Sequence, residues 1–295
     1  MNKKTITVFT PTYNRAYCLD QVYQSLVQQT NQDFKWLIID DGSTDNTKQL
    51  VASWIAEQKI SIHYHYQENQ GMHSGHNAAY KIIDTELNVC IDSDDFMPDD
   101  AVEKILNIWT KRDRNKNLAG IIGLDTFKDG DIVEKIPEKF KYATLSELEV
   151  VNKIGGDKKV VLRTDVVREF PSYPITKEER LVPLGTLYLM IDQKYQYICS
   201  NEVLCIIEYL EDGSSKNILR QYKKSPNGFR YSRIIEMKYS NIFSYTFTRA
   251  MHYISSCIFT KKWFFTSENP KKGITLLALP FGVLLHIYIL FKIRK

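Results

Sequence analysis

Up to residue 110 the chain alternates between short strand-like runs and helical stripes, and this alternation limits the choice of fold more than any other feature. Runs at 6–10, 36–40, 60–66 and 88–92 predict four strands. Between these runs, apolar residues recur with the spacing of one helix face, as in Leu19, Val22, Tyr23, Leu26 and Val27. Strands that alternate with helices predict an α/β fold with a mostly parallel central sheet and helices on both faces.

Beyond residue 120 the alternation is less regular, although strand and helix patterns continue. Residues 120–127, 159–163 and 203–210 predict strands, whereas residues 144–153 and 184–195 predict helices. A chain of 295 residues with 43% hydrophobic residues has room for one elaborated domain or two domains, and its composition excludes a disordered chain. Five cysteines without a C-x-x-C pair predict reduced, buried thiols in a cytosolic protein.

The charges are distributed unevenly along the chain. The formal net charge is +4, yet residues 221–295 carry 13 lysines and arginines against two carboxylates, Glu236 and Glu268. Such a basic segment indicates that the protein binds an anionic partner, either nucleic acid or a phospholipid surface. The N-terminal residues contain no apolar run long enough for a signal peptide, so we expect none.

The last part of the chain contains an uncharged apolar stretch, 273–291, with lysines on both sides. A membrane-spanning helix needs about 20 apolar residues, and Pro280, Gly282 and His286 interrupt this stretch. Residues 239–265, which are rich in aromatic side chains with scattered basic ones, are typical of an interfacial helix. We therefore expect membrane contact rather than nucleic acid, and both a spanning helix and one lying on the membrane remain open.

Three polar motifs each follow a predicted strand. They are TPTYNR (10–15), DDGSTDNT (40–47) and DSDD (92–95). In an open parallel sheet the carboxyl ends of the strands share one edge, where ligands bind, so we expect the three motifs to meet there. In the third motif, Asp92 and Asp94 can converge on one divalent cation while a diphosphate supplies further oxygens.

Each motif also has a structural interpretation. Asp95 can cap the helix that follows Pro98, and Asp45 or Thr44 can cap the helix after the second motif. An EF-hand loop is excluded, because Phe96 and Met97 occupy positions that need an oxygen ligand and a glycine. The chain also lacks a P-loop and a dinucleotide-binding glycine motif.

The order and spacing of four segments resemble the N-terminal block of family 2 glycosyltransferases. The segments are VFTPTYNR, IIDDGSTDNT, ENQGMHSGHNAA and CIDSDDFMPDDA, within residues 5–110. The resemblance implies a GT-A fold, inversion at the anomeric carbon, and a nucleotide-sugar donor that is usually a uridine diphosphate sugar. It also implies a divalent metal cofactor, Mn²⁺ or Mg²⁺.

The resemblance assigns roles to residues of the three motifs. Nucleotide-binding roles fall on Pro11, Tyr13, Asn14, Asp41 and Asp92. Asp94 would be the main metal ligand, with Asp92 close to both the ribose and the metal. In capsule-type relatives a basic residue lies near the diphosphate after the third strand. Met72 replaces that residue here, so His73 or His76 is expected to serve instead.

Inverting transfer needs a carboxylate that deprotonates the acceptor hydroxyl. The segment TKEERLVPLGTLY (176–188) is similar to an acidic segment of capsule-type relatives, which assigns the base to Glu179, with Glu178 as the alternative. A later glutamate of those relatives is Leu184 here. Asp212, in a further segment that resembles the acceptor region, is expected to contact metal or acceptor. An exposed charge cluster at a helix entry is the structural interpretation of 176–180.

These inferences combine into one expectation for the whole chain. We expect a nucleotide-sugar-binding half at 1–115, an acceptor-binding half at 116–215, a basic amphipathic region at 216–270 and an apolar membrane-associated segment at 271–295. The expected enzyme is a metal-dependent glycosyltransferase at the cytoplasmic face of the membrane, with a lipid-linked or cell-surface glycan as acceptor. The alternatives are a non-catalytic nucleotide-sugar-binding scaffold and a nucleotidyltransferase-like enzyme.

Overall fold

The computed structural model describes residues 4–131, 134–208 and 218–294. It divides the chain into two compact units. Unit 1 consists of two stretches, Met1–Pro171 and Lys194–Leu210. Unit 2 consists of Ser172–Gln193 and Glu211–Lys295. Residues 172–193 thus belong with the C-terminal helices rather than with an acceptor half at 116–215, because their helix packs on a helix of unit 2.

Unit 1 contains an eight-stranded sheet within the described residues. Its strands are β1 (Ile6–Thr12), β2 (Phe34–Asp40), β3 (Ile62–Tyr66), β4 (Leu87–Cys90), β5 (Leu118–Phe127), β6 (Tyr142–Ala143), β7 (Lys158–Arg163) and β8 (Gln196–Ile207). Its helices are α1 (Leu19–Val27), α2 (Thr47–Glu57), α3 (Met72–Ile82), α4 (Ala101–Thr110) and α5 (Thr164–Arg168), with a π-helical turn at Glu147–Val151.

The sheet has the strand order β3-β2-β1-β4-β7-β5-β8-β6. Strands β1 to β4 are mutually parallel, because each is connected to the next by a helix that crosses the sheet. Strand β7 runs antiparallel between β4 and β5, and β8 pairs parallel with β5. The predicted mostly parallel α/β sheet is therefore confirmed, with antiparallel pairing added in the second half.

The core beside β1 and β2 is built around stacked aromatic side chains. The ring of Tyr23 lies 4.6 Å from that of Trp54 and 6.3 Å from that of Trp36, centroid to centroid. The indole of Trp36 donates a hydrogen bond to Oγ1 of Thr10 (3.0 Å), so its polar atom is satisfied although the side chain is fully buried. Burial of such large side chains stabilises the packing of α1 and α2 against the sheet.

Unit 2 is helical in its described part. Its helices are α6 (Gly185–Ile191), α7 (Ile218–Lys224), α8 (Pro226–Tyr239), α9 (Phe243–Phe259) and α10 (Lys272–Arg294). A small apolar core joins α8, α9 and α10 through Met237, Tyr253, Ile254, Cys257 and Ala278. Among the described residues, one helix, Lys272–Ile293, is long enough and apolar enough to cross a membrane. Of its 18-residue apolar window, 28% is buried inside the protein.

Several element boundaries differ from those predicted by the sequence. Strand β8 begins at Gln196 instead of 203, and the helix predicted at 144–153 is a single π-helical turn. The helix predicted at 184–195 ends at Ile191, after which the chain returns to the sheet as β8. All five cysteines are free, but only Cys205 and Cys257 are buried as predicted, whereas the other three are partly exposed.

Candidate functional site

The three polar motifs meet at the carboxyl edge of the parallel strands. Thr12 pairs with Asp40 in the register of β1 and β2, and Phe9 pairs with Cys90 in that of β1 and β4. The residues that follow these strands therefore leave the sheet at the same edge. This confirms the expectation that the motifs share one rim, and it is the central geometric fact of the candidate site.

Asp41 lies directly after β2 and is almost fully buried, with 4% of its surface exposed. Its carboxylate accepts hydrogen bonds from Nε2 of Gln67 (2.7 Å) and from the backbone N–H groups of Gln70 and Gly71 (3.1 and 2.7 Å). Three donors to one carboxylate compensate its burial. Asp41 thereby fixes the loop between β3 and α3, and its assignment to the nucleoside stays a prediction.

Asn14 connects the first two motifs. Its side-chain oxygen accepts a hydrogen bond from the backbone N–H of Thr44 (2.7 Å), and its own N–H donates to Oγ of Ser43 (2.9 Å). Its φ angle of +53° is in the left-handed region, which asparagine tolerates better than most residues. Asn14 therefore holds the two loops at a fixed spacing.

Two further predicted nucleotide-binding residues differ in exposure. The ring of Tyr13 is 48% exposed beside these loops, so a planar base can stack on it. Pro11, one of the last residues of β1, lies below α3, where a Cβ placed on Gly75 would come within 3.1 Å of the proline Cβ. Pro11 thus sets the height of α3 above the sheet.

The DSDD motif forms a tight turn after β4. The N–H of Asp95 donates to the carbonyl of Asp92 (3.1 Å), and Nε2 of Gln21 donates to the carbonyl of Asp94. Phe96 then pairs with Ile206 of β8 through two backbone hydrogen bonds. The turn is thus fixed on both sides, and the carboxylates of Asp92 and Asp94 are half-buried at the rim.

A buried charge cluster, which consists of Asp95, Asp125 and Lys159, lies behind this turn. Nζ of Lys159 is 3.9 Å from Oδ2 of Asp95, and both side chains are at most 12% exposed. Oδ1 of Asp125, buried in β5, has no hydrogen-bond partner among the described residues. Sequence reasoning assigned no role to Asp125 and Lys159, although Asp125 is the one charged residue of the otherwise mostly apolar strand β5.

Burial and mutual attraction act on the charged forms of this cluster. Burial raises the pKa of Asp95 to about 7, and Lys159 opposes this effect. Burial likewise raises the pKa of Asp125. Burial alone would lower the pKa of Lys159, but the surrounding carboxylates raise it well above its ordinary value. Lys159 is therefore a permanent cation below an acidic rim.

The two histidines of α3 are buried, each only 1% exposed. Nδ1 of His76 is 3.2 Å from the hydroxyl of Tyr80, and its Nε2 is 3.7 Å from Sγ of Cys90. Burial lowers the pKa of His76 to about 4, which favours the neutral ring, and its predicted role at the diphosphate stays a prediction. His73 lies in the first turn of α3, and its predicted role at the diphosphate stays a prediction.

The donor groups at the rim fit a divalent cation held jointly with a substrate. No group of three or more His, Cys, Asp or Glu side chains within the described ranges converges on one point. Mg²⁺ is commonly bound by one or two carboxylates together with substrate phosphates, and Asp92 and Asp94 provide two half-buried carboxylates on one turn.

The two predicted bases lie in unit 2 and differ sharply in surroundings. Glu178 is exposed. Glu179 is 6% exposed, and its carboxylate accepts hydrogen bonds from the backbone N–H groups of Asn227 (2.9 Å) and Gly228 (2.8 Å) and from Nδ2 of Asn227 (2.7 Å). Glu179 thus caps the N-terminus of α8. Asp212 lies outside the described residues.

Comparison with known proteins gives a family match for the part of the chain that builds the rim. The family model described as Glycosyl transferase family 2 matches residues 7–139. An uncharacterized glycosyltransferase of Haemophilus influenzae is 32% identical over 107 residues, which are 36% of this chain and 43% of the relative. The matches cover between 17% and 43% of the length of three such curated relatives.

Two solved structures share the fold at low sequence identity. TarS residues 1–349 of S. aureus, in complex with UDP-GlcNAc, has a TM-score of 0.60 at 16% identity, covering 95% of this chain and 80% of that one. Mannosyltransferase PcManGT of Pyrobaculum calidifontis, in complex with GDP-Man and Mn²⁺, has a TM-score of 0.56 at 16% identity, covering 96% and 74%. These likenesses confirm the predicted GT-A fold.

Proposed function

We propose that this chain is a family 2 glycosyltransferase, which transfers a sugar from a nucleotide-sugar donor to a hydroxyl group of an acceptor; the family match over residues 7–139 supports the proposal. The observation that carries the proposal is the shared rim, where an exposed tyrosine ring and two half-buried carboxylates follow neighbouring strands. A rim of this kind offers a stacking surface for a base and oxygen ligands for a metal-bound diphosphate.

The proposed donor is a uridine diphosphate sugar. Tyr13 would stack on the base, and Pro11, Asn14 and Asp41 would shape the nucleoside pocket through the loops that they fix. TarS was solved with UDP-GlcNAc and PcManGT with GDP-Man, so the fold accommodates both bases. His73, in the first turn of α3, is the proposed neighbour of the diphosphate.

Asp94, with Asp92, would hold the divalent metal, Mn²⁺ or Mg²⁺. A metal bound there offsets the negative charge that develops on the leaving diphosphate. The residues of this chain hold the turn in place, because Gln21 and the pairing of Phe96 with Ile206 fix it from two sides. The buried Lys159 lowers the electrostatic cost of placing so many carboxylates together.

For the acceptor, we propose that a carboxylate of the segment 176–180 removes the hydroxyl proton as the oxygen attacks the anomeric carbon, with inversion. Glu178 is exposed and can meet a substrate. Glu179 is engaged by three donors, which supports a structural role in this conformation. The proposed acceptor is a lipid-linked or cell-surface glycan. Unit 2, with its basic residues and its apolar helix, would hold the protein at the cytoplasmic face of the membrane, where that acceptor lies.

A thermal unfolding screen of nucleotide-sugars with and without Mn²⁺ tests the donor site. A donor present at about 100 times its dissociation constant stabilises the folded state by about 2.7 kcal/mol, which is several degrees in Tm. We expect a UDP-sugar to raise Tm only with metal, and Asp94→Asn to abolish the rise. Asp99→Asn, an exposed carboxylate nearby, is the matched control and should retain the rise.

The alternatives give different results in the same preparation. Donor binding without release of free nucleotide, whatever acceptor is offered, would indicate a non-catalytic scaffold. Pyrophosphate release from a nucleoside triphosphate would indicate a nucleotidyltransferase. A metal-dependent rise that persists unchanged in Asp94→Asn would overturn the proposed metal site.

A further inference from the structure

The face of α10 that packs inside unit 2 carries the polar and small residues of the helix. Thr275 accepts a hydrogen bond from Nδ2 of Asn269 (2.7 Å), and Nδ1 of His286 lies 3.2 Å from Oγ of Ser255. At Gly282 the two helices approach so closely that a Cβ would come within 2.7 Å of the Ile254 Cβ. The packed face is therefore the face where polar groups find partners.

The opposite face of α10 is apolar and exposed. It includes Leu277 (58% exposed), Phe281 (48%), Leu284 (63%), Ile287 (57%), Tyr288 (50%) and Phe291 (57%). A helix at a water-facing surface has the reverse arrangement, with its polar residues outside. A contiguous exposed apolar stripe of this size marks an interaction surface.

We propose that the exposed face of α10 inserts into the hydrocarbon of a bilayer that contains anionic phospholipids, with the helix lying in the plane of the membrane. This inference deepens the membrane partner of the proposed function and rests on it for its biological setting. Its experiments involve no donor or acceptor, so its failure is distinguishable from failure of the proposed enzyme.

The packing of unit 2 favours a helix that lies on the membrane over one that crosses it. The packed face in the middle of α10 lies against α9, since Gly282 is close to Ile254 and His286 contacts Ser255. If α10 crossed the membrane, the middle of the helix would lie at the bilayer centre, and α9, which packs on it, would also have to enter the hydrocarbon.

The layer beyond α9 carries charges that would be costly in hydrocarbon. Arg249 of α9 lies 3.4 Å from Glu236 of α8, and Glu236 is also 2.7 Å from Arg233. Buried charges of this kind are expensive at the bilayer centre. A flat α10, which is about 34 Å long with 23 residues, keeps α8 and its charges on the aqueous side.

The charges around α10 indicate which lipids it meets. Both carboxylates of residues 221–295 lie beside arginines, Glu236 beside Arg233 and Glu268 beside Arg230. Lys261, Lys262 and Lys272, close to the start of α10, are exposed. Positive charge next to an apolar face complements anionic headgroups.

Trp263 provides a probe of the contact. It is 62% exposed between α9 and α10, whereas the other three tryptophans of the described chain, Trp36, Trp54 and Trp109, are at most 3% exposed. We expect vesicles of phosphatidylcholine and phosphatidylglycerol with brominated acyl chains to quench Trp263 fluorescence. The Trp263→Phe variant should show no quenching.

Depth measurements separate a flat helix from a spanning one. In the Trp263→Phe background, Leu277→Trp, Leu284→Trp and Phe291→Trp place one probe each along the exposed stripe. Lipids brominated at different chain depths should give the same shallow depth for all three probes. A deep position at 284 with shallow positions at 277 and 291 would show a spanning helix and overturn the proposal.

Vesicle co-sedimentation of the full chain measures the apolar contribution. The double variant Leu277→Ser/Leu284→Ser should reduce the vesicle-bound fraction at least about tenfold, because two large apolar side chains no longer enter the bilayer. Its Tm in solution should be unchanged, since both side chains are exposed. Ile55→Ser, an exposed apolar residue of unit 1, is the matched control and should bind like the parent.

Two results would overturn the assignment to lipid. One is binding to phosphatidylcholine vesicles as strong as to anionic ones, because the basic flank would then contribute nothing. The other is a stable dimer in solution that dissociates in the double variant while vesicles fail to bind the parent, because a second copy of the chain would then cover the stripe.

Discussion

Lys159 is a buried cation of unit 1 on which neighbouring carboxylates depend. It lies beneath the DSDD turn with Asp95 and Asp125, where burial makes an uncompensated carboxylate costly. Removing one member of a buried ion pair typically lowers the stability by more than the intact pair contributes to it, because the remaining charge stays buried without a partner. The rim thus depends on a cation that no substrate touches in the proposed mechanism.

We expect Lys159→Met to lower the free energy of unfolding by about 3 kcal/mol, because two buried carboxylates lose their counter-charge. Urea unfolding measures the change. Lys158→Met, at the neighbouring position of the same strand, should cost less than about 1 kcal/mol, as its ammonium contacts loop carbonyls near the surface. Adding Asp125→Asn to Lys159→Met should recover part of the loss. Equal effects of the two lysine variants would contradict this account.

His252 of α9 makes the stability of unit 2 dependent on pH. Burial, reinforced by the positive charges of Arg233 and Arg249, lowers the pKa of His252 from about 6.5 to about 4. Between these values the unfolded chain binds the proton and the folded chain does not. The free energy of unfolding should therefore decrease as pH falls from about 6.5 to about 4, by on the order of 2 kcal/mol.

His252→Gln should remove that part of the pH dependence. Urea unfolding of both proteins at pH 7 and at pH 4.5 gives two differences, and the parent should lose more stability on acidification than the variant. If the losses are equal, the ring is protonated in the folded protein at the lower pH and the proposed burial effect is absent.

At the scale of elements, the N-terminus of α8 determines how the acidic segment 176–180 can act. A carboxylate that accepts hydrogen bonds from two backbone N–H groups of the first turn stabilises a helix through these bonds and through its negative charge. The predicted base Glu179 occupies that position. The sequence pattern did not distinguish a cap from a base, because the capped helix begins much later in the chain, at Pro226.

Glu179→Gln and Glu178→Gln separate the two roles. We expect Glu179→Gln to lower the free energy of unfolding by about 1–2 kcal/mol, because an amide replaces one accepting oxygen at the helix terminus. Glu178→Gln should leave Tm unchanged and reduce sugar transfer at least about 100-fold if its carboxylate removes the acceptor proton. The reverse pattern, with stable Glu179→Gln protein that transfers no sugar, would assign the base to Glu179.

At the scale of the whole molecule, the sequence predicted unit 1 better than unit 2. The strands and helices up to Thr110 follow short-range patterns, so the rim with Tyr13, Asp41 and Asp92 was predictable from them. The partners of Asp125 and Lys159 were not, because β5 and β7 are joined by long-range antiparallel pairing that no local pattern encodes. Likewise, the division at Pro171 follows from the packing of α6 with α8.

The proposed membrane contact and the proposed transfer make one joint prediction. A protein held on a bilayer meets a lipid-linked acceptor at a high effective concentration, whereas a soluble donor gains nothing from that surface. The Leu277→Ser/Leu284→Ser variant should therefore lose about tenfold in kcat/KM for an acceptor embedded in anionic vesicles. Donor hydrolysis and transfer to a detergent-free, water-soluble acceptor should stay at the parental rate, because unit 1 carries the donor rim unchanged. An equal loss with both acceptors would mean that α10 supports the catalytic fold rather than the encounter with lipid-linked substrate.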